Sequence, residues 1–208
     1  MRDGLPIIIS APSGTGKTTI CNILRREIPD LKFAISHTTR PIRTGENDGV
    51  DYIFTTTDEF KSKIENNDFL EWAEVHEAAF YGTSTESINK TLKKGYDTII
   101  ELDIQGVKTL RKANYQGVYI LILPPSIKAM EARLRKRGTE AEENIQRRLQ
   151  SGKEEVRHFK AYDYVITNNI VEDTVKSIHS ILLAEKARSS NYQSNSPDIN
   201  TLLEDCID

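Results

Sequence analysis

Two cysteines, two methionines and one tryptophan in 208 residues leave little room for sulfur chemistry. Cys21 and Cys206 stand far apart with no C-x-x-C spacing, which excludes a disulfide-stapled scaffold and the usual thiolate metal site; free thiols of a reducing compartment are expected. The four histidines, at 37, 76, 158 and 179, lack metal-ligand spacing. No apolar run approaches the roughly 20 residues of a membrane span. The run at 5–9 is too short and wrongly flanked for a signal segment, so a cytoplasmic protein that binds no membrane is the default expectation. A net charge of −3 gives no general attraction to nucleic acid, and any phosphate binding must be local. What remains, 38% hydrophobic and 28% charged residues, suits one globular domain with a sizeable core and at most a small insertion.

Within that frame the chain is organised around Ile7-Ile8-Ile9-Ser10-Ala11-Pro12-Ser13-Gly14-Thr15-Gly16-Lys17-Thr18. An apolar strand pattern stops at turn-forming residues, and Ile20, Ile23, Leu24 and Ile28 then recur at helical spacing. A strand, tight loop and helix in that order turn backbone N–H groups inward at the positive end of a helix dipole, which suits phosphate. Lys17 adds a point charge for the outer phosphates and the Thr18 hydroxyl suits Mg²⁺, while Ala11 stands where the G-x-x-x-x-G-K-[ST] pattern has its first glycine.

Buried-type apolar runs recur at 5–9, 31–35, 97–102, 118–123 and 163–166, alternating with helical patterns at 16–28, 105–113, 126–137, 141–159 and 171–187. Such alternation predicts an α/β fold with a parallel sheet flanked by helices. The region 37–83 breaks the rhythm with short strand-like pieces around a small helix near 58–66 and reads as an inserted lobe. Thr83-Ser84-Thr85-Glu86 has capping-box spacing for a helix ending at Gly95, and a second boundary falls near Gly138. The expected division is a domain over 1–188, with core segments 1–36, 84–132 and 150–188, the lobe at 37–83 and a helical lid at 133–149. Residues 189–208 are too polar to pack and are expected to be a disordered or loosely docked tail.

A second constellation, Ser36-His37-Thr38-Thr39-Arg40-Pro41-Ile42-Arg43, ends a strand-like run with hydroxyls and two guanidinium forks suited to a phosphate dianion. Taken alone these arginines read as a solvated turn; beside a phosphate loop they read as a second phosphate site. Thr98-Ile-Ile-Glu-Leu-Asp103 is an apolar strand ending in acid, where a Mg²⁺-organising carboxylate belongs; Glu101 alternates with Asp103, and Asp103 is also a natural N-cap for the helix that follows. Arg133 and Arg137 lie one helical turn apart, with Arg148 beyond the Gly138 break. Arg135, Lys136 and Arg147 read as a solvated face.

Taken together, Ala11–Thr18, Ser36-His-Thr-Thr-Arg-Pro41, Tyr52, Phe69-Leu-Glu-Trp72, Tyr81-Gly-Thr83, Asp103-Ile-Gln-Gly106 and Arg137-Gly-Thr139 resemble a guanylate kinase of the bacterial type, over about Leu5 to Ala187. The resemblance implies a P-loop fold and the reaction ATP + GMP ⇌ ADP + GDP with Mg²⁺. It implies an ATP site at Ala11–Thr18 with Arg133, Arg137 and Arg148, and Thr18 and Asp103 at the metal. Asn168 is a weaker candidate for the adenine edge. In the implied GMP site, Ser36, Arg40, Arg43, Tyr52 and Tyr81 hold the phosphate, Glu71 and Thr83 read the guanine, and Asp103 sits between the substrates. Lys17, Arg40, Asp103, Arg137 and Arg148 would carry the chemistry. A solvent-facing strand carboxylate remains the bland alternative for Glu71. The segment at 76–80 holds one residue more than the family's pattern. The competing readings are a kinase for another nucleoside monophosphate and a non-catalytic guanylate-kinase-like interaction domain.

Overall fold

The computed structural model describes residues 3–75, 79–136, 142–191 and 197–206. Five parallel strands build the main sheet, in the order β2 (Lys32–Phe33), β7 (Thr98–Glu101), β1 (Pro6–Ser10), β8 (Val118–Leu123), β9 (Tyr164–Thr167). Each follows one of the apolar runs of the sequence. The central strand β1 is buried on both faces, which is why it is nearly all isoleucine and does not alternate with polar residues. Ile7 and Ile9 pack on one side with Ile20 and Leu24 of α1 (Lys17–Glu27) and Ile178 and Leu182 of α7 (Val171–Ala187). Ile8 packs on the other with Val107 and Leu110 of α4 (Ile104–Lys112) and Ile88 of α3 (Thr85–Lys93). Parallel pairing sends β1 and β7 upward together, Ile8 opposite Ile100, so the loop after Ser10 and the acids around Asp103 emerge at the same sheet edge.

The inserted region forms a second, mixed sheet in the order β4 (Ile53–Phe54), β3 (His37–Thr38), β6 (Ala79–Ser84), β5 (Phe69–Val75). Its core is aromatic. Phe60, on helix α2 (Thr57–Glu65), stacks on Phe69 at 4.4 Å and on Phe80 at 5.5 Å, and Gly82 permits this because a Cβ there would stand 2.9 Å from Phe60. Two lid-region helices, α5 (Ile127–Lys136) and α6 (Glu142–Arg157), share a small core of Met130, Leu134, Ile145 and Leu149.

Two expectations need correction. Ser84, not Thr83, caps α3 by accepting from the Ser87 N–H, because the Thr83 hydroxyl is committed to Glu71. The polar tail is not structureless throughout: a helix, α8 (Pro197–Glu204), forms in it, its Leu202 and Leu203 exposed. The Gly138 boundary and residues 76–78 lie outside the described residues. Among the described residues no helix is long and apolar enough to cross a membrane.

Candidate active site

The loop Ala11–Gly16 bends because Gly14 and Gly16 take positive φ of 84° and 103°, a region that side chains resist. Three side chains from distant elements fix it. Arg133 of α5 donates to the Thr15 carbonyl at 2.9 Å, Arg148 of α6 donates to the Ser13 hydroxyl at 3.2 Å, and Asn168 donates to the Thr15 carbonyl at 2.7 Å. Asn168 is only 1% exposed and its Oδ1 accepts from the Thr174 hydroxyl. It is therefore a strut beneath the loop, its carboxamide bonded through both Nδ2 and Oδ1. Arg137 lies outside the described residues. Arg135 pairs with Glu131 at 2.9 Å and also with Glu142, the surface role expected of it.

At the foot of α1, Lys17 Nζ stands 3.3 Å from Glu101, an acid that sequence reasoning set behind Asp103. Both acids line one cavity of about 480 Å³ with Lys17, Ser13, Tyr52 and Glu71. Period-two spacing in the sequence was the available signal; β7 ends at Glu101, and Asp103, two residues on, lines the same cavity. Asp103 caps α4 as well, its Oδ1 accepting from the Gln105 and Gly106 N–H groups at 3.0 and 2.9 Å. Thr18, the second residue of α1, is exposed. These are oxygen donors only. Among the described residues no cluster of three or more His, Cys, Asp or Glu side chains stands ready for a metal.

Opposite the loop, β5 presents Glu71 and Ala73 to the cavity and Trp72 and Glu74 to solvent. The solvent-facing alternative for Glu71 therefore falls. A register shift between Phe69 and Glu71 brings Glu71 opposite Thr83, whose hydroxyl donates to Oε1 at 2.7 Å. Since that hydroxyl has one proton, the 3.3 Å contact between Ser36 and Thr83 is a donation from Ser36. Ser36 thus stands in a chain with Thr83 and Glu71, in the same cavity as Tyr52 and Tyr81. Oε2 of Glu71 lies against Gly106, where a Cβ would come within 3.3 Å. Burial pushes the Glu71 carboxyl up to about 7, the Asp103 charge adds to this, and the Thr83 hydrogen bond opposes it.

The arginine arm is organised separately. Arg40 makes a two-pronged pair with Glu46, at 2.7 and 2.6 Å, over the rings of Tyr52 (4.9 Å) and Phe54 (5.5 Å). Glu46 also accepts from the Arg43 N–H at 2.9 Å, and these bonds, Arg40 first, draw its carboxyl down to about 2. Tyr81 meets Tyr52 edge to face at 5.9 Å, and both line the cavity. Arg43 itself is exposed. Glu46 escaped sequence reasoning, although its place six residues after Arg40 in a glycine-flanked loop is where a local partner would lie. Cys21, buried behind Lys17 with its thiol pushed up to about 12, supplies no reactive thiolate.

Comparison with known proteins agrees with this geometry. The family model described as guanylate kinase matches residues 3–185. The chain is 46% identical over 187 residues to a guanylate kinase of Caldanaerobacter subterraneus subsp. tengcongensis, covering 90% of each chain. It is 43% identical over 189 residues to one of Rickettsia prowazekii, covering 91% of this chain and 95% of that one. It superposes on the crystal structure of guanylate kinase from Anaplasma phagocytophilum with a TM-score of 0.76 and 31% identity, over 99% of this chain and 96% of that one. A phosphate loop facing a buried carboxylate across one cavity is thus accompanied by relatedness along nearly the whole length, and the chain belongs to the guanylate kinase family.

Proposed function

We propose that this chain transfers the γ-phosphoryl group of ATP to GMP, giving ADP and GDP. The observation that carries the reading is Glu71: a carboxylate withdrawn from solvent, fed by the Ser36–Thr83 hydroxyl chain, across the cavity from Lys17. Guanine presents N1–H and a 2-amino group as adjacent donors, and the free valences of such a carboxylate match them; adenine offers N1 as a lone pair and has no 2-amino group.

On this reading the backbone of 11–17 and Lys17 hold the donor phosphates, with Arg133, Arg137 and Arg148 supplying charge from the lid. Arg40, Arg43, Tyr52 and Tyr81 hold the acceptor phosphate. Asp103 lies between the substrates, and with Thr18 it would hold Mg²⁺, which supplies neutralisation of charge on the transferring group. No protein nucleophile is required, because phosphoryl transfer of this kind rests on positioning and charge stabilisation. Inward movement of the lobe (37–83) and the lid (133–149) would exclude water from the donor. A cytoplasmic site of action and small-molecule partners alone, without nucleic acid, complete the reading.

ADP release coupled to an indicator reaction, with GMP, AMP, UMP and dTMP offered in turn, tests it. GMP should exceed AMP in kcat/KM by roughly 10⁴-fold, the discrimination available to a site whose buried polar groups are left unpaired by the wrong substrate. Equal rates with AMP would reassign the acceptor, and no turnover with any of them would favour a binding module.

A further inference from the structure

Gly106 is a buried glycine in the first turn of α4, a place where alanine would serve the helix better. Its backbone does not take positive φ, so the chain conformation makes no demand for glycine there. Space does. A Cβ at 106 would stand 3.3 Å from Glu71 Oε2 and from Leu102 Cβ and Cδ1. The Leu102 atoms are a packing contact of the kind found elsewhere in the molecule, where Gly82 against Phe60 and Gly117 against Ile8 are closer still. The Glu71 contact is of another kind, because among the described glycines this is the one whose missing side chain faces a carboxylate. Glu71 is held from the far side by the Thr83 hydroxyl at 2.7 Å, and Oε2 rests on the first turn of α4, the positive end of that helix. On the same residue, the Gly106 N–H donates to Asp103 Oδ1 at 2.9 Å. One glycine therefore meets two acids of one cavity, Asp103 through its N–H and Glu71 through the space of its absent Cβ.

Resting on the guanylate kinase reading, we propose that Gly106 is a positioning residue for base specificity: its bare Cα sets the spacing between the carboxylate that reads guanine and the acid that lies between the substrates. The neighbours of an added Cβ are unequal in their freedom to move. Leu102 Cβ is one bond from a main chain that is pinned on both sides, by the Leu102 N–H on the Ile9 carbonyl at 3.1 Å and by the Asp103 cap of α4. The Glu71 carboxylate is the far end of a flexible side chain, so it yields first, by a few tenths of an ångström. It can yield only away from α4. Guanine presents two adjacent donors to the two carboxylate oxygens, and a pair of hydrogen bonds demands both distance and direction, so one small displacement weakens both. Neither Lys17 nor the donor loop takes part in the contact, so ATP should not feel it.

The test compares Gly106→Ala and Glu71→Asp, singly and together, in the full chain, reading kcat, KM for GMP, AMP and ATP, and Tm. Gly106→Ala should raise KM for GMP by about fivefold to twentyfold and narrow the GMP-to-AMP preference by a similar factor, with KM for ATP within about twofold of wild type. Tm should move little, because better helix propensity offsets the tighter fit against Leu102. Glu71→Asp draws the carboxylate back from Gly106, so in that background Gly106→Ala should cost less than about twofold more. A Gly106→Ala enzyme with the wild-type KM for GMP and the wild-type base preference would overturn the proposal. Equal losses toward GMP and ATP with a falling Tm would do so too, as the mark of packing alone, and so would additive losses in the double variant. If Gly106→Ala does not fold, the double variant decides: folding with the base preference of Glu71→Asp supports the proposal, and failure to fold assigns the clash to Leu102 and overturns it. Wild-type turnover with GMP reads the kinase assignment by itself. The contact is also read without nucleotide, by carbon NMR of the Glu71 carboxyl, whose titration midpoint should rise in Gly106→Ala by about half a pH unit as the carboxylate leaves the helix N-terminus; an unmoved midpoint overturns the proposal.

Discussion

The donor and acceptor ends of the cleft hold their working groups by different means. At the donor end the loop is dictated by a few adjacent residues, yet its struts come from afar: Arg133 and Asn168 reach Thr15 across 118 and 153 residues of sequence, and Arg148 reaches Ser13 across 135. At the acceptor end the arginine is pre-set locally, Arg40 on Glu46 six residues away, while the Glu71 carboxylate reaches the cavity only through pairing of β5 with β6. The donor loop would lose its shape without the tertiary fold, whereas the Arg40–Glu46 pair needs mainly its own turn. Damage should divide accordingly: donor-side changes should fall on ATP and stability together, and acceptor-side changes on GMP alone.

The largest effect should come from Lys17→Ala. Removing the cation that faces Glu101 across 3.3 Å strips charge from the transferring group, and kcat should fall by roughly 10²–10³-fold with the circular dichroism spectrum unchanged. Near wild-type turnover in a folded variant would remove the donor side from the mechanism. Next in size is Glu71→Gln. Losing one charge-assisted partner of guanine should lower kcat/KM for GMP by about 10–100-fold, with KM for ATP little changed and the GMP-to-AMP preference narrowed. Its pH dependence sharpens the point. The carboxyl is raised to about 7 when the site is empty, so the ligand-free fold is favoured by its neutral form below the unfolded value and loses that advantage as pH rises toward 7. Guanine prefers the ionised form, so GMP should bind more tightly from pH 6 to 8, and Glu71→Gln should flatten that trend; equal slopes in both proteins would show that Glu71 is not the titrating reader.

A smaller, two-part effect is expected of Asn168→Ala. It removes one of the two donors to the Thr15 carbonyl, Arg133 being the other, and one acceptor of the Thr174 hydroxyl, which can still donate to the Ile170 carbonyl, so stability should drop by about 1 kcal/mol and KM for ATP should rise while KM for GMP holds. Thermal melts and initial rates together check this, and a rise confined to GMP would break the comparison. Glu46→Gln should be mildest. The amide keeps one oxygen for the Arg40 fork, so the fold should lose little, but Arg40 loses the charged half of a pair whose side chains are only 10% and 20% exposed, and KM for GMP should climb by about threefold to tenfold.

Much of this was legible in the sequence. All five apolar runs became the strands of the main sheet, since a strand covered on both faces needs no polar residue. The strand–loop–helix at 7–20 was legible because its signals, two glycines, a lysine and a helical apolar period, sit side by side. Less was legible where a role depends on what lies opposite. Ser84 outcompeted Thr83 as the α3 cap because Glu71 had already claimed the Thr83 hydroxyl. Nothing local to Asn168, at the end of a strand, showed that it would be a buried strut beneath a loop 153 residues away.

By itself, then, the sequence determined the layered α/β architecture, through apolar runs alternating with helical patterns, and the strand, loop and helix around Lys17, whose signals lie side by side in the chain. Only the tertiary structure decided that Glu71 faces inward, that Glu101 rather than solvent meets Lys17, and that Asn168, Arg133 and Arg148 converge on one loop. The physical reason is desolvation. A polar side chain has many possible partners while water surrounds it, and packing of distant elements removes the water and leaves one.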